Sequence, residues 1–363
     1  MMANGQIYLR PEHDQWDLIR ACAARRPFDA AIVYARYIAP YPAGHPRAGH
    51  SPTELTDALR DVEFPYVVDP GTPALAKRDV ATAKEASRLR ESPMVAALDL
   101  PLRFADLAGR GRRDQFVDDT MVAQVGADAV APPYLEYKHR GPDVLELNIM
   151  MLRRCIASAA EQLPVAFIQL TRAAFLDGLL PRIAPAYAQT GVTRVFIRVR
   201  GLEAESASAR EFGDYVDAIA AFAGRGVEVV PDCVGRLGPP LIAGGAASFS
   251  TGAVYFRKVA VPLLNKGGGG GVEVFYEVPQ GWHEVPRGAR HRAPRCFVPG
   301  CVAATTTASL DDVREHNLHL LREESRLAAA NPAAWYAARL VASGQPDAVA
   351  WGEVLREFAQ RAA

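Results

Sequence analysis

Val165-Ala166-Phe167-Ile168-Gln169, Val195-Phe196-Ile197-Arg198-Val199 and Val227-Glu228-Val229-Val230-Pro231-Asp232 are three short, β-branched apolar runs separated by segments of helical spacing. Glu211 to Ala223 is one such segment, with Phe212, Tyr215, Ile219 and Phe222 recurring on one face. Runs that are almost continuously apolar read as strands buried on both faces, and strands alternating with helices read as a parallel sheet. Working outward, the same kind of run occurs at Ala30–Ala35, Tyr66–Asp69, Met94–Asp99, Ala127–Ala131 and near Ala247–Ser250. Eight strand–helix units predict a (β/α)8 barrel. An open doubly wound sheet is the competing layout, but no Gly-x-Gly-x-x-Gly follows the first run.

Other segments fit around that frame. A helix is expected over Asp143–Glu161, opening just after Pro142 and carrying Val144, Leu147, Met151 and Cys155 at helical spacing. Asn265–Gly271, an Asn-Lys pair followed by five glycines, reads as a loop leaving the barrel, and Val272–Val278 reads as a strand. Ser309-x-x-Asp312 is a capping-box spacing that opens a helix, and further helices are expected after Pro332 and Pro346. The expected division is residues 1–264 as the barrel, 265–330 as a zinc-binding extension and 331–363 as C-terminal helices.

The 363 residues carry 41 basic and 41 acidic side chains, so no global field draws the chain to anionic partners, and any such contact must be local. Five cysteines, an odd number without framework spacing, suggest a reduced, cytoplasmic setting. No charged segment followed by an apolar one opens the chain, and no apolar run is long enough to span a membrane, so neither a signal peptide nor a membrane partner is expected.

Four groups of residues bear on chemistry. Cys296 and Cys301 flank Phe-Val-Pro-Gly, a turn sequence, and Glu315-His316-Asn317-Leu318-His319 follows on a helix. Two thiols and one or two imidazoles are the donor set of a structural zinc site, with His291 or His283 as a further donor. Two core thiols and an exposed His pair are the plainer alternative. The polar residues at strand C-termini form the second group: Asp69, Asp99, Glu136, Gln169, Arg198, Arg200, Asp232, Ser248 and Ser250. That end of a barrel carries the chemistry, and two carboxylates there can serve as base and nucleophile. Asp is equally a common loop and cap residue. The third group is Gly238–Ala246, where Gly244 and Gly245 are candidates for a phosphate cradle or for tight packing. The fourth is the basic run Arg287, Arg290, Arg292 and Arg295, suited to a nucleic-acid backbone or simply to solvent.

With these residues in place the chain resembles the tRNA-guanine transglycosylase superfamily, which includes enzymes that insert 7-deazaguanines into DNA. His316-Asn317-Leu318 is similar to the family's zinc-ligating His-Asn-Leu helix, and Cys296 and Cys301 sit where the family has Cys-x-Cys-x2-Cys. Phe167-Ile168-Gln169 is similar to the strand bearing its base-recognising Gln. Gly201-Leu202-Glu203-Ala204-Glu205 loosely echoes its Gly-Gly-Leu-Ala-x-Gly-Glu, and Asp69-Pro70-Gly71 stands at its Asp-Ser-Gly-Gly. The middle cysteine is absent, and Phe249-Ser250-Thr251 carries Ser where the family's Phe-Asp-Cys carries the nucleophile. Asp232-Cys233, one strand earlier, is the chain's other Asp-Cys pair.

The resemblance implies a pentosyltransferase that exchanges a guanine-type base in tRNA or DNA. Asp232 would attack the sugar, Asp69 would handle the proton, and Gln169 and Asp99 would hold the base, with Gly244, Gly245 and Ser250 lining the pocket. Structural Zn2+ would sit on Cys296, Cys301, His316 and His319, and a homodimer or partner subunit is expected. Two alternatives remain open. One is a non-catalytic relative that binds nucleic acid or a partner protein. The other is an unrelated barrel enzyme acting on a small phosphorylated metabolite.

Overall fold

A computed structural model describes residues 5–12, 15–39, 51, 53–76, 92–95, 100–138, 142–202, 207–252, 275–277, 284–293, 295–296, 298–335 and 348–362. Its strands are β1 (Gln6–Arg10), β2 (Ala30–Tyr34), β3 (Tyr66–Asp69), β4 (Ala129–Val130), β5 (Leu163–Pro164), β6 (Ala166–Thr171), β7 (Arg194–Arg200), β8 (Glu228–Pro231) and β9 (Ser248–Gly252). A separate antiparallel pair joins β10 (Phe275–Glu277) to β11 (Glu284–Pro286).

The ring of strands is parallel and closed. β9 pairs with β1, and the ladder continues through β2, β3 and β4 to β5. Only Val165 separates β5 from β6, and its N–H donates to the Val130 carbonyl at 2.9 Å. Tyr137, beyond β4, bridges Leu170 in β6. β6, β7 and β8 follow in order. The last seam is made where the Val234 N–H donates to the Ser250 carbonyl at 3.0 Å. Counting β5 and β6 as one position, eight parallel strand positions close on themselves, and the protein is a (β/α)8 barrel.

Two of the sequence expectations change. Gln6–Arg10, not expected as a strand, is the first strand of the barrel. Met94–Asp99, expected as one, is described only in its first two residues. Residues 93–95 form a helical turn, residues 96–99 lie outside the described residues, and β3 pairs directly with β4 through Val67 and Ala129. Asn265–Gly271 also lies outside the described residues.

Strand alternation splits the core in two. Ile7, Leu9, Val33, Val68, Ile168, Ile197, Val229 and Phe249 face the helices. Tyr8, Ile32, Val67, Phe167, Phe196 and Val230 fill the barrel interior. There Phe196 stacks on Phe167 with centroids 4.7 Å apart and meets Tyr8 edge-on at 5.5 Å. Beneath these rings lies a polar floor, in which Arg194 pairs with Glu228 at 2.9 Å and the Ser248 hydroxyl donates to Glu228 at 3.1 Å.

The helix Leu310–Ala330 begins at the capping box that the Ser309-x-x-Asp312 spacing predicts, with the Asp312 N–H donating to Ser309 Oγ at 3.1 Å. It packs on the short helix Gly238–Ala243 and on β1, and Leu318, Leu321 and Ala328 join the outer core. Arg322 ties it to Asp29, between β1 and β2, at 3.0 Å. It therefore stands in the wall between β9 and β1, the place of the barrel's eighth helix. The C-terminal helix Ala348–Ala362 docks on Ala209–Ala223, where Trp351 stacks on Phe212 at 4.9 Å.

Candidate functional site

The inward-facing residue at each strand's C-terminal end sits above the aromatic layer. Continuing the alternation from Tyr8 gives Arg10, from Val67 gives Asp69, from Phe167 gives Gln169, from Phe196 gives Arg198 and from Val230 gives Asp232. Ser250 is their counterpart on β9. Arg10, Asp69 and Asp232 are each 0% exposed. Unpaired charges at such depth would be prohibitive, so the pairing must be close.

Arg10 forks onto Asp232, with Nε to Oδ1 at 2.6 Å and Nη2 to Oδ2 at 2.7 Å, and its Nη2 lies 2.9 Å from Asp69 Oδ2. Arg198 Nη2 spans both carboxylates at 2.6 Å each, while its Nε reaches Asp232 at 2.9 Å. The Asp69 Oδ1 atom accepts from the Tyr134 hydroxyl and from the Gly71 N–H, both at 2.9 Å. The Ser250 hydroxyl donates to Asp232 and accepts from the Cys233 N–H, the latter at 2.8 Å. Cys233 takes φ +59°, an uncommon conformation for a residue with a side chain, at the sharp turn that ends this strand.

Burial alone would raise both carboxyl pKa values. The two guanidiniums overcome it, holding Asp69 below and Asp232 well below the ordinary carboxylate range. Burial pushes the Cys233 thiol up to about 12, and the neighbouring Asp232 charge adds to this, so that thiol stays protonated. The Tyr34 ring covers the pair, 4.6 Å from the Arg10 guanidinium carbon and 5.5 Å from that of Arg198.

One donor is left over. Arg10 Nη1 is buried and has no hydrogen-bond partner among the described residues. Above the network, Arg198 Nη1 donates to Gln169 Oε1 at 3.2 Å, and Gln169 Nε2 donates to Glu136 at 3.0 Å. Arg200 Nε then meets Glu136 at 3.3 Å.

The structure thus brings Asp69, Asp232, Gln169 and Ser250 into one layer. Arg10, which joins both carboxylates, was missed with its strand. The visible signal was the alternation of Gln6-Ile7-Tyr8-Leu9-Arg10, apolar at 7 and 9. Asp99 and residues 203–206 lie outside the described residues. Ser248 belongs to the polar floor at the other end of the barrel. Gly244 and Gly245 also lie at that end, just ahead of Ala247, whose carbonyl accepts from the Gly5 N–H at the start of β1 at 2.8 Å. A Cβ on Gly244 would come within 2.7 Å of Val216, and one on Gly238 within 2.3 Å of the Phe249 ring. Gly244 thus packs closely on the helix Ala209–Ala223 and Gly238 on β9, and Gly244 and Gly245 lie away from the mouth, which corrects the expectation of a phosphate cradle there.

The basic run divides as well. Arg290 is buried, and its guanidinium donates to the carbonyls of Arg287, Thr305, Thr306 and Ala308 at 2.6 to 3.3 Å. It braces the segment leading to the long helix, with four of its five N–H donors on carbonyls, so its burial corrects the expectation of a backbone-phosphate contact. Arg287 is half-buried, whereas Arg292 and Arg295 are exposed.

At the side of the barrel, Cys296, Cys301 and His316 bring their ligand atoms within 4.8 Å of one another. His316 is buried on the long helix, and its Nδ1 lies 3.5 Å from Cys301 Sγ. The Cys296 contact, with help from His316 against the cost of burial, draws the Cys301 thiol down to about 4. A thiolate at neutral pH is the form that ligates a metal, so these three residues fit a soft divalent ion. His319 is not in the cluster. Its Nε2 turns to Glu315 at 3.4 Å, and Glu315 in turn meets Arg25 at 3.2 Å. The expectation of His319 as a ligand is corrected accordingly. Arg25, Val298, Glu315 and His319 line, with the three donors, a cavity of about 410 Å³.

The fold and the mouth layer define a parallel (β/α)8 barrel with a charge-paired mouth and a Cys–Cys–His cluster beside its wall. No family model matches the chain, and no curated protein matches it. Among solved structures, a psychrophilic family 10 endo-beta-1,4-xylanase is similar at 9% identity and TM-score 0.40, over 69% of this chain and 86% of that one. Deoxyribose phosphate aldolase from Aeropyrum pernix is similar at 11% and 0.36, over 68% and 86%. A mutant tryptophan synthase alpha-subunit from Pyrococcus furiosus follows at 10% and 0.35, over 69% and 89%. Likeness at this level carries no argument about activity, and the fold rests on the strand pairing above. Among the described residues no helix is long and apolar enough to cross a membrane.

Proposed function

We propose that the chain is a barrel enzyme that takes a small substrate at the mouth layer, with a neutral carbonyl or lactam oxygen received by Arg10. The observation that carries this reading is Arg10 Nη1, a buried guanidinium N–H without an acceptor among the described residues. Such a group costs about 1–3 kcal/mol if left unpaired, and a ligand oxygen recovers that cost. The charge balance selects the ligand. Arg10 and Arg198 are matched by Asp69 and Asp232, so these two guanidiniums carry no surplus charge of their own to neutralise a phosphate dianion. A neutral C=O needs none. Arg198 and the Gln169–Glu136 pair lie beside it as further polar contacts.

A second reading, base exchange of the transglycosylase type, is favoured by two placements. Asp69, Asp232 and Gln169 share the mouth, and the Cys296–Cys301–His316 cluster takes its imidazole from the His-Asn-Leu helix. A guanine-type base also offers a lactam oxygen. In this reading Asp232 must leave Arg10 and Ser250 to reach a sugar carbon, because every oxygen it has is engaged.

Calorimetric titration of the full chain with guanine and with inorganic phosphate tests the first reading. Guanine binding that is lost in Arg10→Lys, which keeps the charge but not the fork, supports it. Binding of phosphate alone overturns it. Exchange of labelled guanine into tRNA or DNA, abolished in Asp232→Asn, would bring in the second reading, and its absence from both nucleic acids would remove that reading.

A further inference from the structure

Of the five cysteines, three are sealed in the core and two are not. Cys22, Cys155 and Cys233 are each at most 2% exposed. Burial pushes the thiols of Cys155 and Cys233 up to about 12 and that of Cys22 higher still, so they stay protonated and out of reach of solvent. Cys296 and Cys301 are half-buried and line the cavity of about 410 Å³ at the side of the barrel. Their sulfurs lie within 4.8 Å of each other. Only Phe297-Val298-Pro299-Gly300 separates them, and Gly300 takes φ +75°, a left-handed turn that suits glycine. A disulfide needs its sulfurs about 2.05 Å apart. Side-chain rotation and a small movement of this short turn close that gap.

We propose that Cys296 and Cys301 are a modification site, which a peroxide oxidant converts to an intrachain disulfide and a small dithiol converts back. One sulfur takes an oxygen from the peroxide, whose remainder leaves as water. The second sulfur then displaces that oxygen, which leaves as a second water. The two thiols give up two hydrogens and two electrons, and the peroxide is reduced. A partner sulfur this close intercepts the singly oxidised one before more oxygen is added, and that keeps the step reversible. Thiol–disulfide exchange with a dithiol returns the electrons. In a reducing setting the dithiol form is the resting one. A metal at this cluster needs the same two sulfurs, so disulfide and metal exclude each other. The disulfide depends neither on the reading of the barrel mouth nor on a metal being held.

The test treats the full chain, free of metal, with hydrogen peroxide. Remaining thiols are then alkylated with iodoacetamide under denaturant and mapped by mass after trypsin. No Lys or Arg lies between Arg295 and Arg314, so both sulfurs fall in one peptide, residues 296–314, which also lacks Met and Trp. This peptide should be the first to escape alkylation, with a mass lower by two hydrogens and no added oxygen, and dithiothreitol should restore both thiols. Two thiols that are still alkylated after excess peroxide overturn the proposal. So does added oxygen that dithiothreitol does not remove, and so does a bond from either sulfur to Cys22, Cys155, Cys233 or another chain. In the zinc-loaded chain the metal should be released in step with the disulfide. A disulfide formed with zinc retained overturns the mutual exclusion.

Discussion

The barrel mouth and the Cys–His cavity are both clusters of chemically active side chains gathered from distant parts of the chain, yet they are opposite in kind. The mouth brings donors to acceptors: two guanidiniums, two carboxylates, a tyrosine and a serine, nearly all satisfied among themselves. The Cys–His cluster gathers three groups that all offer lone pairs, two sulfurs and an imidazole. A cluster that closes on itself holds the fold together and admits a ligand at the atom left unmatched among the described residues, Arg10 Nη1. A cluster of like donors waits for something from outside. The first should respond to loss of a partner, and the second to loss of an ion.

Arg10→Met is the strongest way to break the mouth. It leaves Asp69 and Asp232 buried with Arg198 between them, and removing one member of such a network costs about 3–5 kcal/mol. Urea unfolding reads the loss directly, and a change below about 1 kcal/mol would mean that the network is not the clamp described here. The same pairing sets a pH dependence. Both carboxyls are held below their ordinary range, so the unfolded chain takes up protons first as pH falls. The stabilisation is fully present above about pH 5 and is lost progressively below it. The urea midpoint should therefore drop between pH 5 and pH 3, and less steeply in Asp232→Asn.

Removing the ion probes the other region. A metal held at a thousand times its Kd stabilises the folded chain by about 4 kcal/mol. A chelator should lower the Tm of the metal-loaded protein, and Cys301→Ser or His316→Ala should have neither bound metal nor a chelator effect. His319→Ala should keep its metal, since His319 turns to Glu315. Loss of metal in His319→Ala would return that residue to the ligand set.

Legibility followed the same divide. The barrel was readable because strands buried on both faces leave apolar runs that any window detects, and seven of the eight strand positions were found that way. β1 was not, because its five residues begin and end in polar side chains, Gln6 and Arg10. Missing the strand meant missing the residue that joins both carboxylates. Met94 and Val95 open a run with the same apolar signature yet lie in a helical turn, and β3 pairs with β4 instead, since composition does not reveal whether a neighbour is free to pair. The cysteines and His316 were legible from residue type and spacing. Which neighbouring histidine shares their cluster was not, because His319 turns to Glu315 within its own helix. Arg290 was misread because sequence cannot tell a solvated arginine from one whose donors are spent on carbonyls.

Packing around β9, which presents Ser250 to the mouth, gives a smaller effect. Gly238→Ala would place a methyl group within 2.3 Å of Phe249, and overpacking of this kind costs about 1–3 kcal/mol. It should lower stability while leaving metal content unchanged. An unaltered urea midpoint would show that Phe249 gives way freely.

The smallest effects are expected on the exposed side of the metal region. Arg292→Ala and Arg295→Ala should each change stability by less than about 0.5 kcal/mol, as surface substitutions do. Arg290→Ala should cost several times more, because four carbonyls lose their donor together. This contrast also separates structure from nucleic-acid contact. If Arg292 and Arg295 meet a phosphate backbone, each alanine should reduce the slope of log affinity against log salt by about 1. A slope that both variants leave unchanged would detach this surface from any nucleic acid, and the mouth would remain the place to seek the substrate.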